Sequence, residues 1–180
     1  MKVMFLDHDG VICLADNWEG RFKKKGFDSN PETPLDIRND DFNKKAIIIL
    51  NEIIEETGCE LVTSSDWRRH GTLKQMQEMY ITRGIKPPIG MTEFFSDLLQ
   101  DGKVPGHFEF TFDNSLEIER SCEILHWLSE HPEVTHWVAV DDLNMTLNDS
   151  WGLENFVLTP RSREGIKQSG VKEKILKFLK

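Results

Sequence analysis

Tyrosine occurs once, cysteine three times and proline seven times in 180 residues, and no apolar run approaches the length needed to cross a bilayer. The cysteines, Cys13, Cys59 and Cys122, are odd in number, widely spaced and free of any CxxC pair. That argues against a disulfide framework or a thiolate zinc site and fits a reduced, cytoplasmic protein. The first apolar run, Val3 to Leu6, is too short for a signal peptide and is interrupted by Asp7 and Asp9. Internal repeats and low-complexity tails are absent. Positive charge is scarce as well: 22 basic against 31 acidic residues give a net charge of -9. A field of that sign repels polyanions, so neither general nucleic-acid affinity nor attachment to an anionic membrane is expected. The one basic run, Arg21 with Lys23 to Lys25, reads first as a solvated face; flanked by Trp18 and Phe22, it is also a candidate contact for a base beside a phosphate.

The length suits one domain, 1–180. Lys2 to Leu6 is a strand apolar on both faces, ending at Asp7 and Asp9 with Gly10 directly after. Residues 12–41 are polar and broken by Gly20, Gly26, Pro31 and Pro34, which predicts a loop or small flap. A helix follows over Phe42 to Thr57, capped by Asp40 or Asp41 and ended by Gly58. A second strand, Glu60 to Thr63, runs into Ser64, Ser65 and Asp66, ahead of a helix over Thr72 to Arg83. Residues 84–112 suggest a small insertion, with a short helix over Glu93 to Leu99 and a strand over Phe108 to Phe112. A helix capped by Asn114 or Ser115 reaches Glu130, with Ile118, Cys122, Leu125 and Leu128 inward. The strand Val134 to Val140 delivers Asp141 and Asp142; Phe156 to Leu158 is a further strand and Val171 to Leu179 a closing helix. This alternation predicts an α/β fold, a parallel sheet with helices on both faces.

Acids and hydroxyls at three strand ends lie where ligands bind in open α/β sheets. Two carboxylates one residue apart, Asp7 and Asp9, repel each other in a poorly solvated pocket and are relieved by a divalent cation or a raised pKa. Ser64 and Ser65 stand where hydroxyls hold a phosphate, or merely cap a helix.

FLDHDGV, LVTSSDWR and WVAVDD, in that order, resemble three of the four motifs of the haloacid dehalogenase (HAD) superfamily of phosphohydrolases. ERSCEILHWLSEHPEVTHWVAVDD, with SSDWR and GMT upstream, is similar to the HAD phosphatase domains associated with RNA-repair proteins. The resemblance implies a Rossmann-like sheet with minimal cap insertions and a Mg2+-dependent phosphomonoesterase acting through an aspartyl phosphate. Asp7 would be the nucleophile and Asp9 the general acid and base, its pKa raised or its proton shared. Asp7, Asp9 (through its carbonyl), Asp141 and Asp142 would hold the metal. Ser64, with Ser65 as its neighbour and Thr63 as an alternative, would bind the phosphate. The basic third-motif residue is Arg120, followed by Ser121 where the subgroup has Gly, with Lys103 the runner-up.

His8, pointing away from the two acids, is expected to pack, as are Trp67 and Trp137; Arg68 and Arg69 read as a solvated helix start. The substrate implied is a nucleotide or a phosphorylated polynucleotide end. A small-nucleotide phosphatase and a non-catalytic binding domain of the same fold are the alternatives, while a phosphotransferase is disfavoured by the shortness of residues 12–41.

Overall fold

The computed structural model describes residues 1–14, 42–104, 115–146, 152–160 and 163–180. The expected flap beyond Leu14, the Trp18 and Phe22 pair with its basic run, the strand over Phe108 to Phe112 and the Asn114 cap lie outside these residues.

Among the described residues, five strands, β1 (Lys2–Leu6), β2 (Glu60–Thr63), β3 (Gly90–Met91), β4 (His136–Asp141) and β5 (Phe156–Leu158), form one sheet. Their order is β3-β2-β1-β4-β5, and every neighbouring pair is parallel. β1, in the centre, reads Val-Met-Phe-Leu because both of its faces are covered. Met4 and Leu6 pack on one side with Leu61, Val138 and Val140, under helices α1 (Lys44–Thr57), α2 (Leu73–Thr82) and α5 (Val171–Leu179). Val3 and Phe5 pack on the other with Val62 and Ala139, under helix α4 (Leu116–Glu130), with the short helix α3 (Phe95–Gln100) against α4. The doubly covered parallel sheet expected from the alternation is therefore the observed one.

Several boundaries shift for local reasons. α1 begins at Lys44 because Asn43, not Asp40 or Asp41, supplies the cap: its Oδ1 accepts from the Lys45 and Ala46 amides at 3.0 and 3.2 Å. Gly58 ends that helix in the left-handed region, φ 68°. Thr72 and Gln75 form a reciprocal capping box at the start of α2. The short helix is displaced to Phe95–Gln100, and the two-residue strand β3 ahead of it is too brief to leave any periodicity.

α4 departs most from expectation. Its fully buried face carries Arg120, Ser121, Glu123 and His126 beside Cys122, Ile124 and Trp127, while Ile118, Leu125 and Leu128 are only half-buried. Polar side chains on the inner face of a helix need partners, and those of Arg120 and Glu123 lie at the strand ends. All three cysteines are free and buried. Among the described residues, no helix is long and apolar enough to cross a membrane.

Candidate active site

Register brings the site together. Leu6 is paired with Thr63 on one side and Val140 on the other. The next residues, Asp7, Ser64 and Asp141, are therefore level across three adjacent strands. The ladder continues one step past them: the Asp7 amide donates to the Val140 carbonyl (3.1 Å) and the Ser64 amide to the Leu6 carbonyl (3.0 Å). Beyond Asp7 the backbone turns at once. The His8 carbonyl accepts from the amides of Val11, Ile12 and Cys13, a knot that Gly10 permits with φ 73°. A Cβ on Gly10 would fall on the carboxyl group of Asp142. The missing side chain is thus what lets the β4 end close on the β1 end.

Carboxylate oxygens of Asp7, Asp141 and Asp142 lie within 4.8 Å of one another. Asp7 and Asp141 are buried. Burial pushes the Asp7 carboxyl well above its ordinary range, Asp141 adds to the rise, and Arg120 opposes it. Burial likewise pushes Asp141 up to about 7 against the pull of Arg120. Three carboxylates converging in a dry site fit a hard divalent cation held through oxygen. Asp9 belongs to the same loop, but its carboxylate is turned to Trp67, whose Nε1 donates to Asp9 Oδ2 at 2.9 Å.

Arg120 reaches in from the second turn of α4. Its Nη1 lies 3.1 Å from Asp141 Oδ2 and 3.5 Å from Asp7 Oδ1, and donates to the Ser64 carbonyl; its Nη2 lies 3.4 Å from Asp66. The guanidinium is the local counter-charge to the acids. Lys103 stands elsewhere, half-exposed and paired with Glu93 and Asp101 at 3.2 and 3.3 Å. Of the two third-motif candidates, Arg120 is the one beside Asp7.

The hydroxyls divide by position. Ser64 remains in the ladder, and its Oγ is enclosed without a hydrogen bond. Ser65, in extended backbone at the start of a 3-10 turn over Asp66–His70, accepts from the Trp67 amide at 3.4 Å, and its hydroxyl works against the rise in the Asp7 pKa. Thr63, one step before Ser64, is fully buried, and its Oγ1 is likewise enclosed without a hydrogen bond.

His8 packs as expected. It is fully buried among Phe42, Trp67 and Tyr80, its Nε2 2.6 Å from the Tyr80 hydroxyl, and burial lowers its pKa to about 3, so the ring is neutral. Trp67 is buried and stacked on Phe42 at 5.4 Å, yet it also holds Asp9, which its expected core role did not include. Trp137 is half-buried, edge-on to Phe5.

Arg68 overturns the solvated reading. It is buried, its Nη2 2.8 Å from Glu123 Oε2, while Nε donates to the Ser65 carbonyl and Nη1 to the Thr92 carbonyl. Glu123 in turn accepts from the Phe95 amide (2.9 Å) and lies 3.6 Å from Arg120 Nε. Arg68 and Glu123 thus brace Arg120 and the Ser65 turn from below. Arg69 does stay exposed, over the Phe94 ring at 4.2 Å. Glu123 had one sequence signal, its place three residues after Arg120 on the same helix face; Trp67 and Thr92 fell within the quoted SSDWR and GMT stretches, which gave neither of them this role.

Residues 3–171 match the family described as the HAD domain in Swiss Army Knife RNA repair proteins. Comparisons with curated proteins and with solved structures gave no match.

Proposed function

The chain belongs to the family of HAD domains in Swiss Army Knife RNA repair proteins, and from that premise we propose that it hydrolyses phosphate monoesters with Asp7 as nucleophile, at phosphorylated polynucleotide ends. The observation carrying this reading is the level placement of Asp7, Ser64 and Asp141 at the carboxyl edge of the sheet, with the Arg120 guanidinium against both acids. An Asp7 oxygen attacks phosphorus as the ester P–O bond breaks, and Asp9 donates a proton to the leaving oxygen. The Asp9 carboxylate then takes a proton from water, whose oxygen attacks the same phosphorus, releasing phosphate and restoring Asp7. Trp67 fixes the Asp9 carboxylate for both transfers. Arg120 and a hydroxyl of the Ser64–Ser65 pair meet the equatorial phosphoryl oxygens, where charge spreads in the transition state.

Attack requires Asp7 ionised, against the burial that favours its neutral form. Mg2+ held by Asp7, Asp141, Asp142 and the Asp9 carbonyl would supply charge compensation between nucleophile and phosphate.

The test is phosphate release from 3'- and 5'-phosphorylated oligonucleotides, mononucleotides and sugar phosphates, with Mg2+ or EDTA. We expect release from oligonucleotide ends, lost with EDTA, and no measurable turnover by Asp7→Asn at an unchanged melting temperature. Release chiefly from mononucleotides would make the protein a nucleotide phosphatase. Wild-type-like turnover by Asp7→Asn would remove the nucleophile assignment.

A further inference from the structure

The polar face of α4 does not end with Arg120 and Glu123. One turn beyond Glu123 it presents His126, and one turn further Glu130; Glu93, in the segment between β3 and α3, stands opposite. A ring nitrogen of His126 and one carboxylate oxygen from each glutamate all lie within 4.8 Å of one another. His126 is 7% exposed, and its Nε2 is enclosed without a hydrogen bond, 3.5 Å from Glu130 Oε2. A buried imidazole nitrogen without a hydrogen bond, beside one carboxylate and clustered with a second, is an arrangement that a cation completes.

We propose that Glu93, His126 and Glu130 form a second divalent-cation site, distinct from the aspartates at the strand ends, which takes a first-row transition ion such as Zn2+. His126 lies six residues past Arg120 on α4, roughly 9 Å along the helix axis, so the two sites share no ligand. One imidazole with two carboxylates suits Zn2+; Mg2+ prefers an all-oxygen shell and keeps its waters. Donors about 2.1 Å from a tetrahedral ion are about 3.4 Å apart. Rotation of the two exposed glutamates closes the remaining gap, since their side chains are 42% and 51% accessible.

The ion would pin the segment after β3 to α4. That segment holds Arg68 through the Thr92 carbonyl, and α4 holds it through Glu123. Occupancy would therefore stiffen the support beneath Arg120 without touching the reacting atoms. Lys103, 3.2 Å from Glu93, competes with the ion and has Asp101 at 3.3 Å to fall back on.

The test is Zn2+ titration of the metal-stripped chain by calorimetry in excess Mg2+, with Co2+ absorption and thermal melts alongside. One equivalent should bind and raise the melting temperature, with a Co2+ visible spectrum indicating nitrogen and oxygen donors. His126→Gln, or Glu93→Gln with Glu130→Gln on the exposed side, should weaken binding at least tenfold, and Lys103→Met should tighten it. Asp7→Asn should leave it unchanged. Absence of Zn2+ binding, retention of full affinity in both folded ligand variants, or loss of binding in Asp7→Asn alone would overturn the assignment.

Discussion

Gly10 sets how closely Asp142 approaches the end of β1, because the space where its Cβ would stand is filled by the Asp142 carboxyl. Gly58 offers a control, with a similar φ of 68° and nothing within 4 Å of its added Cβ. Alanine at position 58 should cost only the left-handed backbone penalty, about 1 kcal/mol. Gly10→Ala carries that cost and must also displace the Asp142 carboxyl, which the proposal assigns to the metal. We expect it to lower Mg2+ affinity at least tenfold by calorimetry and to reduce turnover, while Gly58→Ala changes only the melting temperature. The glycine itself was readable in the sequence as the residue that lets the chain leave β1. Its contact with Asp142 was not, since it depends on the packing of two strand ends 132 residues apart.

At the scale of elements, the brace between α4 and the turn after β2 rests on the buried Arg68 and Glu123 pair. Removing one member leaves the other charge in the interior, which typically costs about 3–5 kcal/mol. Arg68→Met should fall toward the lower end, because Arg120 lies 3.6 Å from Glu123 and offsets part of its charge. Urea unfolding should report that loss, and Arg68→Met with Glu123→Leu should recover part of it, since neither charge is then stranded. Activity should fall in both variants as Arg120 loses its support.

The elements also explain what the sequence could and could not reveal. β1 and β4 were legible because apolar runs stop abruptly at acids, and α1 and α5 because their stripes are continuous. The resulting order of strand ends placed Asp7 and Asp141 in one region, while Arg120, on a helix, was singled out by the family resemblance with Lys103 as its rival. Arg68 was misread because two arginines after a strand look like a solvated helix start, and its partners come from Thr92 and Glu123, far along the chain. The inner face of α4 escaped an apolar-stripe reading for a related reason: its buried polar residues serve contacts outside the helix.

For the whole molecule, a net charge of -9 must be reconciled with the polyanionic substrate proposed above. A protein that grips a nucleic-acid backbone loses affinity steeply as salt rises, in proportion to the phosphates it neutralises. An acidic protein engaging only a terminal phosphate should behave otherwise, because salt screens the repulsion between its field and the rest of the strand. Steady-state kinetics on a phosphorylated oligonucleotide should therefore show KM flat or falling between 50 and 200 mM salt (roughly a Debye length of 14 to 7 Å), and little dependence on strand length. A rise of tenfold or more over that range would mean that a basic tract neutralises several phosphates.

The three buried thiols make the native protein its own chemical clock. Cys13 closes the loop after the nucleophile, Cys59 precedes β2 and Cys122 sits in α4 beside Glu123, each with no exposed surface. A maleimide can reach them only when the chain around them opens. Their separate labelling rates would time the opening of the catalytic loop, the sheet and the bracing helix independently, in an unmodified chain.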